Sequence, residues 1–397
     1  MNENRVISGM RPTGDLHLGH YHGVLKNWLE LQNEYDSYFF VADWHALTTH
    51  YADKVDLKTY STNLVIDWLA CGINPNNSTI FLQSKVPEHA ELHLLLSMTT
   101  PLSWLERVPS FKDQQDKLSS KDLATYGFLG YPLLQSADIL IYKAGLVPVG
   151  ADQVAHIELT REVARRFNFI YGREEGFEEK CELAIKKIGK KPAKLYKNLR
   201  KSYQETGDDE ALLRAKALLN EQQNITIGDK ERLLGYIEGI GKTILIEPKS
   251  LLTKSPKMPG LDGQKMSKSY GNTISLRDTP EEVEFKIRKM PTDPARIKLT
   301  DVGNPQKCPV WQLHEVYSNA DTRDFVVNGC TKATIGCVEC KMPIINSINQ
   351  ELSPIQENII KYSQDKSVVE QIIFEGSEKA RIIAKETMQE VRGSMGL

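Results

Sequence analysis

Four side chains in two short segments could handle a polyphosphate. His17 and His20 flank Gly19 where a turn meets a helix, and Lys265 and Lys268 lie in a later basic loop. Before the histidines, Val6 and Ile7 form an apolar run that reads as a strand. After them, Tyr21, Val24, Leu25, Trp28 and Leu29 recur at the period of a helix with one buried face. Pro12, Thr13 and Gly14, between the two, are turn residues. The opening of the helix presents unpaired N–H groups and a positive dipole, which attract phosphate. Gly19 lets a ring or ribose approach the backbone, and two imidazoles one turn apart can donate to phosphate oxygens as charge builds. Lys265, Met266, Ser267, Lys268 and Ser269 follow a glycine-rich run, Pro259 to Gly263. Two lysines three apart on a loop can reach one polyphosphate. That suits a reaction in which pyrophosphate leaves and negative charge is held chiefly in the transition state.

These groups need a scaffold. Residues 36–43 (DSYFFVAD) and 79–84 (TIFLQS) read as further strands, and Leu57 to Leu69 and Ala90 to Met98 as helices. Alternating strands and helices predict an α/β fold, a doubly wound parallel sheet, with the ligand beyond the carboxyl ends of the strands. The HLGH turn and Asp43, Trp44 and His45 fall at that end. His45 reads equally well as a satisfied buried histidine. Residues 111–122, polar and charged, read as an exposed loop, with Lys112 and Lys117 as further candidates for phosphate. In the run 131–142, Asp138 stands among Leu133, Leu134, Ala137, Ile139 and Leu140. A carboxylate on an apolar segment requires a partner: an arginine, a helix N–H, or a ligand donor. Asp152 follows the apolar stretch 146–149 and is placed either to cap a helix or to accept from ribose hydroxyls.

The pair HLGH and KMSKS, with SGMRPTGDLHLGHYHG at the start, YPLLQSADILIY at 131–142, VPVGADQVAHIELTRE at 147–162 and EGSEKARIIAKE at 375–386, resembles the class I aminoacyl-tRNA synthetases, and among them tryptophanyl-tRNA synthetase. The resemblance covers roughly residues 5–175 and 246–397. It implies a Rossmann-type catalytic domain that activates L-tryptophan with ATP and Mg2+, releases pyrophosphate and passes tryptophan to tRNA(Trp). It implies a cytoplasmic homodimer. Its ATP site would comprise Arg11, Thr13, Gly14, His17, Gly19, His20, Asp152, Lys265, Met266, Ser267, Lys268 and Ser269. Of these, His17, His20, Lys265 and Lys268 would be catalytic. Its tryptophan site would comprise Ile7, Gly9, His45, Tyr131, Gln135, Asp138 and Gln153. Asp138 would take the indole N–H, and Tyr131 and Gln153 the amino and carboxyl groups. Gln135 and Ile7 depart from the residues relatives often carry there. A tyrosine-specific synthetase and a tryptophan-sensing or nucleic-acid-binding paralogue are the alternatives. Both phosphate-binding elements are intact, which disfavours a sensor, and no small RNA-binding module follows the helical tail, which disfavours the tyrosine enzyme.

The expected division is 1–177 and 247–280 for the catalytic domain, 178–246 for a helical insertion, and 281–397 for an α-helical anticodon-binding domain. In the insertion, Pro192 opens a helix with Leu195, Leu199 and Tyr203 on one face, and Gly207 closes it. Residues 186–201 hold eight Lys or Arg and no acid, a solvated face or a track for RNA phosphates. GIGKT at 239–243 lacks the first glycine of a phosphate-binding loop, since Tyr236 stands there. Near the end, Cys308, Cys330, Cys337 and Cys340 are spaced C-x21-C-x6-C-x2-C. Spacing alone favours a structural Zn2+ site. The resemblance points instead to the subset of tryptophanyl-tRNA synthetases with a [4Fe–4S] cluster on a pattern sharing the x6 and x2 gaps. Cys71 and Cys181 read as ordinary thiols. With 397 residues, 40% hydrophobic, and a net charge of -2, the chain is a multidomain globular protein whose nucleic-acid surface must be a local patch. No apolar run approaches the ~20 residues that span a bilayer.

Overall fold

Five short apolar segments pair into one parallel sheet: β1 (Arg5–Met10), β2 (Asp36–Val41), β3 (Ser78–Leu82), β4 (Leu146–Val149) and β5 (Lys249–Leu252), in the order β3-β2-β1-β4-β5. The expected doubly wound α/β architecture is therefore present. The computed structural model describes residues 4–397 apart from 54, 109–124, 151–152, 174–175, 240 and 253–257. The loop carrying Lys112 and Lys117, and Asp152, lie outside the described residues, as does the side chain of Ser269.

Successive strand residues point to opposite faces, and each face has its own core. Val6, Phe39, Val41 and Ile80 meet Trp28 and Trp68 on one side; Trp28 stacks on Phe39 at 4.2 Å and meets Trp68 edge-on at 5.0 Å. Ile7, Tyr38, Phe40 and Phe81 meet helices α6 (Tyr126–Leu140) and α7 (Val154–Tyr171) on the other. β1 and β2 pair along six residues, whereas β1 and β4 pair only at Val6↔Leu146. Beyond that pair the two strands part, and the crevice of a doubly wound sheet opens at their carboxyl ends.

Helices α8 (Phe177–Lys187), α9 (Lys190–Thr206), α10 (Asp209–Asn220) and α11 (Ile227–Glu238) form a separate core around Cys181, Ile185, Tyr196, Leu199, Leu219 and Leu233. Gly207 closes α9 in the left-handed conformation, as the sequence indicates. The buried face differs by one position: Tyr196 is buried, donating its O–H to Leu233 O at 2.6 Å, while Leu195 is exposed. A tyrosine whose hydroxyl finds a carbonyl outcompetes the neighbouring leucine for the interior. GIGKT is the junction between this core and the sheet domain. A Cβ on Gly235 would stand 1.5 Å from Gly241 O, and one on Gly241 would stand 2.0 Å from Gly172 C. Lys242 N–H donates to Gly172 O at 2.7 Å.

The C-terminal part is helical: α12 (Pro280–Lys289), α13 (Pro309–Tyr317), α14 (Ala320–Thr331), α15 (Cys337–Gln364) and α16 (Lys366–Met395). It is not segregated from the sheet. Ile344, Ile348, Leu352 and Val369 enter the first core, and Ala380, Ala384 and Met388 the second. α16 covers the edge strand β3, and Gly376 makes that contact possible. A Cβ there would sit 1.9 Å from Ile80 O. Gly376→Ala forces helix and strand apart, with an expected cost of about 1–3 kcal/mol, read as a fall in the urea unfolding midpoint without loss of helix content.

Candidate active site

The crevice is a cavity of about 470 Å³. One wall is β1, through Ile7 and Gly9; the opposite wall is β4, through Val147, Pro148 and Val149. Gly9 has no alternative, since a Cβ there would lie 2.5 Å from the Phe40 ring. The histidine turn closes one end of the cavity and α6 the other.

His17 is the N-cap of the short helical turn Leu18–His20. Its Nδ1 accepts from Gly19 N–H at 3.1 Å, and His20 Nδ1 accepts from His17 N–H at 3.3 Å. With both Nδ1 atoms used as acceptors, each neutral ring carries its proton on Nε2. The rings lie 3.8 Å apart. Burial, then the charge of Lys268, pulls His17 down to about 4. Burial, then His17 and Lys268, drives His20 well below its ordinary value. Two neutral N–H donors therefore stand side by side. The expected single amphipathic helix beyond them is interrupted: Tyr21–Leu25 is a π-turn, followed by α1 (Lys26–Glu34). The extra residue shifts the phase, so His22 is buried and His20, Gly23, Val24 and Asn27 line the cavity. Asn27 Nδ2 is buried with no hydrogen-bond partner among the described residues, a donor left for a ligand.

The lysine loop docks on this turn. Lys268 Nζ donates to Thr13 O at 3.2 Å and Gly14 O at 2.9 Å. Gly14 has φ +97°, a conformation that favours glycine. Leu18 N–H donates to Ile274 O at 3.0 Å and Leu276 N–H to Leu16 O at 2.9 Å, binding the strand after the loop to the turn. Met266 is buried in the core and anchors the loop. Lys265 is exposed, as is Arg11 at the cavity rim. Sequence reasoning missed Asn272, the loop's internal pin. Its Oδ1 accepts from Ser267 N–H at 2.8 Å, and its Nδ2 donates to Asp262 Oδ1 at 2.7 Å. A Cβ on Gly260 would strike that side chain at 2.3 Å, which explains the glycine in the run before the lysines.

At the other end Tyr131, Gln135 and Asp138 face the cavity from successive turns of α6, with Gln153 and His156 beside them. Asp138 is 1% exposed. Its partners are neither an arginine nor a helix N–H. Oδ2 lies 2.7 Å from His45 Nε2, and Oδ1 lies 2.6 Å from His89 Nδ1 and accepts from Gln83 Nε2 at 2.8 Å. Burial pushes the carboxyl up, but the hydrogen bonds and charges of His45 and His89 outweigh it, and Asp138 is held far below the usual carboxylate range. The other nitrogen of His89 lies 2.6 Å from Tyr142 Oη. His89, Gln83 and Tyr142 carry no motif. Their only signal is polarity inside otherwise apolar segments. An ionised carboxylate has about four acceptor positions; three are taken by protein, and one is left for the cavity.

The four C-terminal cysteines come together. Cys308, Cys330, Cys337 and Cys340 line one small cavity with Thr292, Asp293 and Arg296, and no disulfide joins them. Among the described residues no three metal-binding side chains converge tightly enough to hold a single ion.

A family model described as "tRNA synthetases class I (W and Y)" matches residues 1–196 and 222–353. The chain belongs to this family. It is 62% identical to the tryptophan–tRNA ligase of Ralstonia nicotianae over 397 residues, covering 100% of this chain and 99% of that one. It is 45% identical to the tryptophan–tRNA ligase of Thermotoga maritima, covering 99% of each. Among solved structures, tryptophanyl-tRNA synthetase from Campylobacter jejuni, complexed with ADP and tryptophan, superposes with a TM-score of 0.73 at 26% identity over 99% of this chain and 100% of that one. No helix among the described residues is long and apolar enough to cross a membrane.

The neutral histidines give a pH prediction. A histidine with a depressed pKa disfavours acid: the folded state loses stability as pH falls below the ordinary value near ~6.5, and His17 itself protonates only near 4. The kcat/KM for ATP in pyrophosphate exchange should therefore show no inflection between pH 6 and 8, scanned at about half-unit steps.

Proposed function

We propose that the cavity activates L-tryptophan with ATP, as its magnesium complex, and transfers the amino acid to tRNA(Trp). The ionised Asp138, with one acceptor position open to the cavity, carries this reading: an indole N–H is a donor with no acceptor capacity and suits that position. Tyr131 and Gln153 flank it to meet the amino and carboxyl groups, and Gln135, Ile7, Gly9 and His45 complete the wall. The ligands named for the Campylobacter enzyme and the Ralstonia ligase at 62% identity support tryptophan over tyrosine.

The adenylate step requires little acid–base chemistry. It requires the carboxylate and α-phosphate aligned and charge stabilised on the leaving pyrophosphate. His17 and His20 supply neutral Nε2–H donors. Lys268, now on Thr13 O and Gly14 O, exchanges two carbonyls for phosphate oxygens when ATP enters, and the exposed Lys265 joins it. Gly19 and Asn27 offer a bare backbone and a donor to the nucleoside, and Arg11, Ser267, Ser269 and Asp152 complete the ATP site. In this reading 281–397 holds the anticodon side and 178–246 is an insertion. On that segment Lys187 and Lys197 are paired with Asp229 and Glu182, and Lys186, Lys190, Lys191 and Lys194 are the lysines proposed to follow RNA. α4 (Glu88–Ser97), α5 (Leu102–Glu106) and α6 expose Leu94, Met98, Leu102 and Tyr126, an apolar face suited to a homodimer in the cytoplasm.

Asp138→Asn should lower kcat/KM for tryptophan by about 2 kcal/mol or more, since it removes charge assistance and puts an NH2 where an oxygen accepted, facing either His89 and Gln83 or His45 and the ligand. The measurement is pyrophosphate exchange with each amino acid. Unchanged preference for tryptophan over tyrosine in the variant would remove Asp138 from the site.

We propose that the four cysteines, which line one small cavity, hold a [4Fe–4S] cluster, with a Zn2+ site as the alternative. Gly303 makes room, because a Cβ there would lie 2.5 Å from Cys330 Sγ. Arg296 is buried beside them, with Nη1 3.8 Å from Cys330 Sγ, Nη2 on Ile335 O at 2.5 Å and Nε unpartnered. A buried guanidinium with no carboxylate partner among the described residues suits an anionic centre. When bound, the cluster supplies a structural crosslink. Anaerobically purified protein should contain about four iron and four sulfide per chain; a single zinc without sulfide would establish the alternative.

A further inference from the structure

The π-turn after the histidines lacks the self-sufficiency of an α-helix. Its closing bond runs from Lys26 N–H to Tyr21 O, one residue longer than an α-helical turn. Such turns are rare, occur mostly singly within helices, and are frequent at functional sites. Here the turn sets which residues face the cleft: His20, Gly23, Val24 and Asn27.

One carboxylate grips both sides of it. Glu351, in the middle of α15, accepts from Lys26 Nζ through Oε1 at 2.7 Å and from His22 Nε2 through Oε2 at 2.9 Å. Tyr317, the last residue of α13, donates its O–H to the same Oε2 at 3.0 Å. His22 lies inside the π-turn and Lys26 begins the α-helix after it. The ammonium of Lys26 also lies 5.0 Å over the Tyr21 ring. Other ion pairs join the C-terminal helices to the sheet domain, for example Lys143–Glu390 at 2.8 Å. Among the described residues, none of those pairs spans a change of helix type. Burial raises the Glu351 carboxyl, but the bonds from His22 and Lys26 prevail and hold it down to about 2, so the grip is charged at neutral pH.

We infer that Glu351 is a positioning residue for adenylate formation: its carboxylate staples the π-turn and so fixes the angle at which His20 and Gly23 meet ATP. The inference rests on reading the cleft as the ATP site. Glu351 touches no substrate. It acts through the backbone between His22 and Lys26, which continues directly from the histidine motif.

The test is ATP–pyrophosphate exchange by the full chain with tryptophan as the amino acid. Glu351→Ala should lower kcat about tenfold while KM for tryptophan stays within about twofold, because Asp138 and Tyr131 belong to a different helix. Lys26→Ala should do the same to a lesser degree, and the double variant should be no worse than Glu351→Ala alone. Lys143→Ala, which cuts a comparable ion pair elsewhere, should leave kcat unchanged. The inference is overturned if Glu351→Ala keeps kcat within about twofold of the wild type. It is equally overturned if Lys143→Ala slows exchange as much, or if the loss tracks a fall in Tm and a rise in KM for tryptophan. Wild-type protein that exchanges with no amino acid would instead refute the proposed function, and this inference with it.

Discussion

β1 and β4 touch at one residue pair and then diverge, and the site depends on that parting. Parallel strands that continued to pair would fill the crevice with backbone hydrogen bonds and leave no room for a nucleotide. Parting opens the cavity whose walls include Ile7, Gly9, Val147 and Val149. Everything else secures what lies along those walls. The histidine turn grows out of β1, the lysine loop pins itself to that turn, and α6 carries the buried carboxylate of Asp138 across from them. A single constraint in the sheet thus converts four distant segments into one cavity.

Within the cavity the two ends use opposite electrostatic arrangements. At the histidine end, burial keeps two imidazoles neutral while the ammonium of Lys268 rests on backbone carbonyls, so the positive charge there sits on the lysine and not on the rings. At the other end, burial works against Asp138, and donors from three elements reverse it. The carboxylate stays ionised in a nearly dry place only because His45, His89 and Gln83 converge on it, which is the general condition for a buried charge.

Much of this was legible before the fold was seen. The spacing of His17, Gly19 and His20, the lysine loop and the solitary acid in 131–142 each announced chemistry through a residue out of keeping with its neighbours. The parallel sheet followed from apolar strands alternating with helices. What stayed hidden were the supporting groups. β5 is four residues long and partly exposed at every position, so no period marks it, and only pairing with β4 makes it a strand. His89, Gln83 and Asn272 serve partners 49, 55 and 5 residues away, and nothing in their local pattern indicates those partners. The π-turn was invisible because one inserted residue alters the phase of burial without altering its composition. Tyr196 in place of Leu195 shows the same limit: a hydroxyl that can be satisfied overrides a rank order of hydrophobicity.

Gly172, Gly235 and Gly241 meet as bare main chain where the core of α8–α11 joins the sheet domain. A joint made of side chains loosens or tightens whenever one of them is replaced. A joint made of peptide planes is indifferent to almost every substitution around it and intolerant of any at its own three positions. The four-helix body can therefore diversify its surface freely while keeping one fixed bearing on the sheet, much as a tool bit changes while the chuck does not. The same joint marks where that body could be exchanged or removed: between Gly172 and Gly241, where the chain already returns to its own starting point.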